Sequence, residues 1–233
     1  PSFPREPTHP WLYNNRDMQN NPISIRAYAA GVSGMDDGVG SILKALNGYG
    51  LDENTLVVFT ADQGWCGGHH GMWGMGDHSR PIHTYEESVR VPLIYRHTGR
   101  IPSGSVIESR TANYSIFPTL VDCLDLSESS PDGLPGTSHA SALSGETPDW
   151  DETIYFEYEN TRMVRTDRWK YTWRHPDGPN DLYDMQADPD ERSNLAGVSG
   201  YGAVEEEMRA LLTSFFDQYA DPEYDVWKDG RSK

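Results

Sequence analysis

A four-residue apolar run, Leu56-Val57-Val58-Phe59, stops at Thr60-Ala61 and gives way at once to Asp62-Gln63-Gly64. The run is short, β-branched and aromatic, the pattern of a strand buried on both faces. In a parallel α/β sheet, ligands bind just beyond the carboxyl ends of strands. Asp62 offers a charged oxygen there and Gln63 a neutral carbonyl oxygen, the donor types that Ca²⁺ and Mg²⁺ take. Taken alone, the three residues read first as a turn, because Asp and Gly often follow a strand for that reason. The next twenty residues shift the balance. His69, His70, His78 and His83 stand there with Arg80, so half of the eight histidines fall in one glycine-rich window. Tyr85 to Ile94 then leads into a second apolar strand, expected over residues 91–96.

The 233 residues suffice for one large or two small domains. Lys+Arg is 19 against Asp+Glu 36, a formal net charge of −17. Such a chain repels nucleic acid and anionic membranes, so neither is an expected partner. An anionic substrate would need a local cation to overcome that field. No run reaches the ~18 apolar residues of a membrane helix. No signal peptide is visible, and the chain opens at Pro1 without Met, so its native amino terminus is expected elsewhere. Cys66 and Cys123 have no metal-ligand spacing, and a disulfide between them is not readable from sequence.

Residues 1–22 are proline- and asparagine-rich and read as irregular, with His9 a packing residue in a loop. Ile23 to Asn47 reads as a helix, because Ile25, Ala29, Val32, Val39, Ile42, Leu43 and Leu46 recur at steps of three and four. Its interior glycines would allow close packing on a sheet, and Asp36-Asp37 reads as a solvated face. Ser115 is an expected N-cap for a helix with Leu120, Cys123 and Leu124 inward. The polar stretch 127–150 is an expected connection, with a domain boundary near its end. Beyond it, Thr153–Tyr158, Met163–Thr166, Trp169–Trp173 and Asp181–Tyr183 read as an antiparallel meander. A last helix is expected over about Gly202–Tyr219, and the tail after Asp221, Trp227 included, as peripheral.

Three segments, TADQG, GGHHGMWG and YEESVRVPLI, together resemble the sulfatase family of the alkaline-phosphatase superfamily. FEYENTRMVRTDRWKY and LYDMQADPDERSNLA resemble its C-terminal subdomain. The resemblance covers nearly the whole chain but only the later portion of a sulfatase. It implies an α/β fold: the C-terminal part of an alkaline-phosphatase-like α/β sandwich over residues 1–150, then a small α+β subdomain over 151–233 with an antiparallel sheet and one long helix. It implies hydrolysis of sulfate esters, of sulfated glycans or small molecules. It implies Asp62 and Gln63 as ligands of Ca²⁺, with Mg²⁺ the alternative. The family's formylglycine nucleophile would come from the missing N-terminal half, in cis or as a separate chain. A periplasmic or secreted location is implied by resemblance alone.

Two departures stand out. Met75 occupies the place where the family usually has a sulfate-holding lysine, which leaves His70, His78 and Arg80 as candidate substrate-binding residues. Neither Cys66 nor Cys123 is followed by the Pro/Ala and Arg that formylglycine formation uses, so no nucleophile is expected here; a papain-like Cys66 beside His69 has no other support. Arg162 and Glu157 are read as structural, though such a subdomain can reach substrate. Two rivals remain: a phosphoester or phosphonate hydrolase of the same superfamily, and a non-catalytic carbohydrate-binding module using Trp65, Trp73, Trp150, Trp169 and Trp173.

Overall fold

A computed structural model describes residues 3–126, 133–147, 149–225 and 227. The fold is mixed helix and sheet and divides into two compact units, Pro1–Ser103 and Gly104–Lys233. The division falls earlier than the boundary near 150, which marks a switch of sequence pattern and stays a proposal about domains. Part of the expected connection, 127–132 and 148, lies outside the described residues.

The first unit begins with an extended segment and then helix α1, Pro22–Gly48. Asn21 caps it, its side-chain oxygen accepting from the Ile23 N–H at 2.9 Å, with Pro22 in the first turn where no N–H is needed. None of its 27 residues is buried. Ile25, Ala29, Val39, Leu43 and Leu46 are half-covered, while Val32 and Ile42 of the same expected stripe are exposed. A β-carbon at Gly31, Gly34, Gly38 or Gly40 would meet nothing within 4 Å. Among the described residues, the close packing expected of these glycines is therefore absent. Each costs about 0.8–1.0 kcal/mol of helix stability against alanine.

Strand β1, Val57–Thr60, pairs antiparallel with β4, Leu93–Arg96, and the two form a sheet of their own. This corrects the expectation of strands buried on both faces. Every residue of the ribbon is half-buried or exposed, Ile94 at 57%, because no further strand among the described residues flanks it. Between them lie the small hairpin of β2, Cys66–Gly67, and β3, Trp73–Gly74, and the one-turn helix α2, Glu86–Val89.

The second unit carries α3, Ile116–Cys123, and the short α4, Ala140–Leu143. Ser115 precedes α3 but makes no side-chain cap; its hydroxyl instead accepts from the Thr137 N–H at 3.2 Å. The buried residue of α3 is Thr119, and Leu124 is exposed rather than core. Strands β5 (Ile154–Tyr158), β6 (Thr161–Arg165), β7 (Trp169–Arg174) and β8 (Asp181–Asp184) form an antiparallel meander in sequence order. Helix α5, Gly202–Tyr219, lies on it.

Register explains the core. Val164, Tyr171 and Leu182 stand in one cross-strand row, all fully buried, and Met208, Leu212 and Phe216 of α5 cover them. Fully burying each such side chain is worth roughly 1.5–3 kcal/mol. The tail is not peripheral. Trp227 is buried, edge-on to Trp173 at 4.9 Å, with the Arg162 guanidinium 4.9 Å from its ring. Arg162 also pairs with Glu157 at 2.7 Å and Asp225 at 2.9 Å, so it clamps the tail. No described helix is long and apolar enough to cross a membrane.

Candidate functional site

The end of β1 is held by backbone. Gly64 N–H donates to the Ser88 carbonyl at 3.0 Å, and a β-carbon at 64 would run into the Glu87 carbonyl oxygen. Only glycine permits this approach, so the bend that carries Asp62 and Gln63 is tied to α2. Both side chains are exposed just past the strand. Gln63 Nε2 contacts the Met75 sulfur, so the residue at the lysine position touches a candidate metal ligand. With its amide nitrogen so placed, Gln63 keeps its carbonyl oxygen as the atom suited to a cation.

The glycine-rich loop closes on the amino-terminal segment. At Gly71 (φ 67°) a β-carbon would strike the Pro7 carbonyl oxygen, and the His9 N–H donates to the Gly71 carbonyl at 3.0 Å. Leu12 is fully buried and bridges Ser79, while Arg80 N–H donates to the Trp11 carbonyl at 2.9 Å. Residues 3–13 are thus the floor of this loop. The sequence reads residues 1–22 as irregular without showing what they pack against; the loop glycines, which signal close backbone approach, are the available hint.

His70 sits at φ 55°, buried, with its ring stacked on Tyr85 at 3.7 Å and 3°. Its Nε2 lies 3.4 Å from Glu87 Oε2. Burial pushes the Glu87 carboxyl up, but the His70 imidazole and the Glu87 backbone N–H, with a smaller contribution from His69, outweigh it and bring the pKa to about 2. His78 Nδ1 is 3.2 Å from Asn15 Nδ2 and 3.3 Å from the Trp73 carbonyl, and its ring fills the space that a Gly74 side chain would take. Arg80 is exposed; its guanidinium donates to the Asp77 and Ser79 carbonyls at 2.8 and 2.9 Å and lies over the Tyr13 ring. His70, His78 and Arg80 lie in the same compact unit as the Asp62–Gln63 bend, and the Gln63–Met75 contact links that bend to their loop.

Cys66 does not pair with His69. Its sulfur is 3.6 Å from His83 Nε2, and His83 Nδ1 is 2.8 Å from Ser79 Oγ. All three side chains are buried, so this thiol–imidazole–hydroxyl row is a packing element without access for a substrate. Both cysteines are free. Cys123 is half-buried, and burial followed by the nearby Asp122 raises its thiol pKa, which lowers the thiolate fraction. The tryptophans named for sugar stacking are packed: Trp65 on Tyr28 at 4.1 Å, Trp73 against Trp65, Trp169 under Arg168, Trp173 against Trp227, and Trp150 with its indole N–H on the Arg110 carbonyl.

Two oxygen donors on an exposed bend suit a hard divalent cation in kind. They fall short in number, since Ca²⁺ takes six to eight oxygens.

The model described as Sulfatase matches residues 6–126, and that described as N-sulphoglucosamine sulphohydrolase, C-terminal, matches 71–218. The N-acetylglucosamine-6-O-sulfatase of Bacteroides thetaiotaomicron is 31% identical over 214 residues, covering 86% of this chain and 37% of that protein. A structure solved in complex with its substrate D-glucosamine-2-N,6-O-disulfate superposes with a TM-score of 0.74 at 30% identity, over 92% of this chain and 45% of that one. The phosphonate monoester hydrolase of Agrobacterium radiobacter superposes with a TM-score of 0.72 at 29% identity, over 85% and 42%. The chain thus spans less than half the length of these relatives. With both family models matched across the loop and the subdomain, the chain belongs to the sulfatase family of the alkaline-phosphatase-like superfamily.

Proposed function

We propose that this chain is the carboxyl-terminal portion of a sulfuric ester hydrolase and is inactive alone. The observation that carries the reading is the Asp62–Gln63 pair, exposed at the end of β1 and joined through Met75 to the histidine-bearing loop, in a chain of this family. Asp62 and Gln63 would hold Ca²⁺, or Mg²⁺, together with oxygens from outside the chain. Such an ion, when bound, neutralises sulfate oxygens and stabilises charge that develops during cleavage. It would also supply the local positive charge that a chain of net charge −17 needs to accept an anion.

His70, His78 and Arg80 are the proposed substrate-side groups. Tyr85 and Glu87 orient the His70 ring, so it would meet a sulfate oxygen as a placed donor. The nucleophile is assigned to the rest of the enzyme, because Cys66 is buried and Cys123 sits where its thiolate is disfavoured. The substrate proposed is a sulfated sugar, on the strength of the relatives' names.

The test is sulfate-ester hydrolysis by this chain alone and by the chain combined with an amino-terminal sulfatase portion. No turnover alone and metal-dependent turnover together is the expected result. Robust turnover by the chain alone would overturn the reading. A second reading, phosphonate ester hydrolysis, is favoured by the likeness to the Agrobacterium enzyme. Preference for phosphonate over sulfate esters in the combined protein would decide for it.

A further inference from the structure

We propose that the cavity between α5 and the segments 110–115 and 150–155 is an accessory site for one uncharged sugar ring. The site goes beyond the proposed hydrolysis, because it uses neither the cation nor the nucleophile.

The cavity lies wholly within the second unit and has a volume of about 270 Å³. Small-molecule sites run from about 300 Å³ upward, so this one has room for a single ring rather than a chain.

Its walls are fixed by bonds between residues 40 to 42 positions apart. The Arg110 N–H donates to Glu152 Oε2 at 3.0 Å, and the Trp150 indole N–H donates to the Arg110 carbonyl at 2.8 Å. The Tyr155 N–H donates to the Tyr114 hydroxyl oxygen at 3.2 Å. At Gly136 (φ 100°) a β-carbon would lie 2.6 Å from the Tyr114 carbonyl oxygen, so the loop at 136–137 closes the wall where only glycine fits. Backbone therefore holds this space open. Interiors packed by side chains alone leave few gaps of such size.

Helix α5 uses two sides. Met208, Leu212 and Phe216 cover the meander, whereas Leu211, Ser214, Phe215 and Gln218, at steps of three, one and three, line the cavity. Ser214 and Gln218 are exposed and bring a hydroxyl and an amide to its mouth. Tyr155 stacks on Phe215 at 3.9 Å and 10°, and Tyr219 packs on Phe215 at 4.9 Å, which makes an aromatic wall. A sugar ring has the same division: its C–H faces lie on aromatic rings, and its hydroxyls bond to amides, hydroxyls and carboxylates. An aliphatic ligand would give Gln218 and Asp151 nothing to bond.

Charge selects among sugars. Arg110 lines the cavity but is already paired, with Glu152 at 3.5 Å and Asp167 at 3.4 Å. Asp151 adds a third carboxylate on the lining. Three acids to one guanidinium repel a sulfated ring. The occupant is therefore uncharged, unlike the sulfated sugar proposed for the Asp62–Gln63 bend.

The experiment is a nuclear magnetic resonance titration of this chain with N-acetyl-D-glucosamine and with its 6-sulfate, following the Trp150 indole N–H and the Gln218 side-chain amide. Both signals should move with the neutral sugar, with a dissociation constant on the order of 1 mM. The 6-sulfate should bind at least about fivefold more weakly. Ser214→Trp fills the cavity from an exposed position and should abolish the shifts while moving the melting temperature by less than about 2 °C. Gln218→Ala should weaken binding about threefold or more. No shift in the folded wild-type chain would overturn the site. Binding that survives Ser214→Trp would overturn its placement, and equal affinity for the two sugars would overturn the charge argument. Sugar binding lost when the chain is combined with an amino-terminal sulfatase portion would show the cavity filled in the complete enzyme and overturn it as well. None of these readouts is turnover, so failure of the sulfatase reading stays distinguishable from failure of this one.

Discussion

The His70 imidazole lies flat on the Tyr85 ring, 3.7 Å between centroids and 3° from parallel. A left-handed backbone at His70 turns the side chain inward onto that ring, and Glu87 meets its Nε2 at 3.4 Å. Aromatic contact sets the plane of the imidazole and the carboxylate sets its rotation. Tyr85→Leu is expected to lose the aromatic contact, about 0.5–1.5 kcal/mol of stability. In the completed enzyme it should raise KM more than it lowers kcat, because it loosens a proposed binding group. Steady-state kinetics beside a urea titration check both parts.

Glu87 ties acid stability to the same contact. Its carboxyl titrates at about 2 in the folded chain against an ordinary 4.5. A depressed carboxylate stabilises the fold above its unfolded pKa, and this contribution fades as pH falls from about 4.5 through about 2. Glu87→Gln should therefore lower the melting temperature near neutrality and flatten its fall between those pH values. Circular dichroism melts from pH 7 to pH 2 measure this; an unchanged acid limb would refute the pairing.

Asp62 is exposed, so Asp62→Ala should leave the fold of this chain intact. In the combined enzyme the same change removes a charged oxygen from the proposed cation site. The expected outcome is at least about tenfold weaker Ca²⁺ affinity by calorimetry. Chelation of the combined wild-type protein should abolish turnover, and added Ca²⁺ should restore it.

Met75 invites a gain of function. Its sulfur touches the Gln63 amide, and the resemblance implies a lysine at this position. Met75→Lys should lower KM for a sulfate ester in the combined enzyme by up to about tenfold, or about 1.4 kcal/mol. The gain should shrink with added salt, as a charge interaction at an exposed site does. A salt-independent change would point to packing instead.

In the second unit, Lys170 and Glu191 form an ion pair at 2.8 Å with both side chains buried. Lys170→Met leaves the Glu191 carboxylate in place without its cation, at a cost of about 3–5 kcal/mol. The double change Lys170→Met with Glu191→Leu should recover most of that loss. Urea unfolding of the three variants distinguishes a pair from two independent packing residues.

Local periodicity made much of this chain legible before its structure. The span of α5, Gly202–Tyr219, follows from Val204, Met208, Leu211 and Leu212 on one stripe. The meander follows from short β-type runs broken by turns. Those signals are carried by neighbours within a few residues, so no distant contact was needed to read them. The family motif was legible for a similar reason: TADQG and YEESVRVPLI are contiguous stretches.

What stayed hidden depends on contacts between residues far apart in sequence. Lys170 alternates in a strand like any surface lysine, and only the turn at Glu191 buries it. Cys66 finds His83 rather than the adjacent His69 because the hairpin and the loop fold back on one another. Residues 3–13 read as irregular, yet the loop glycines leave room for their backbone. The antiparallel ribbon escaped notice because a short apolar run looks alike in every sheet, and pairing direction is decided by the partner strand. Sequence alone thus determined α1, α3 and α5, the strands of the meander and the family. Tertiary structure decided which polar groups are buried, which faces stay uncovered, and how the histidine loop is held, since each is a sum of contacts that no local window contains.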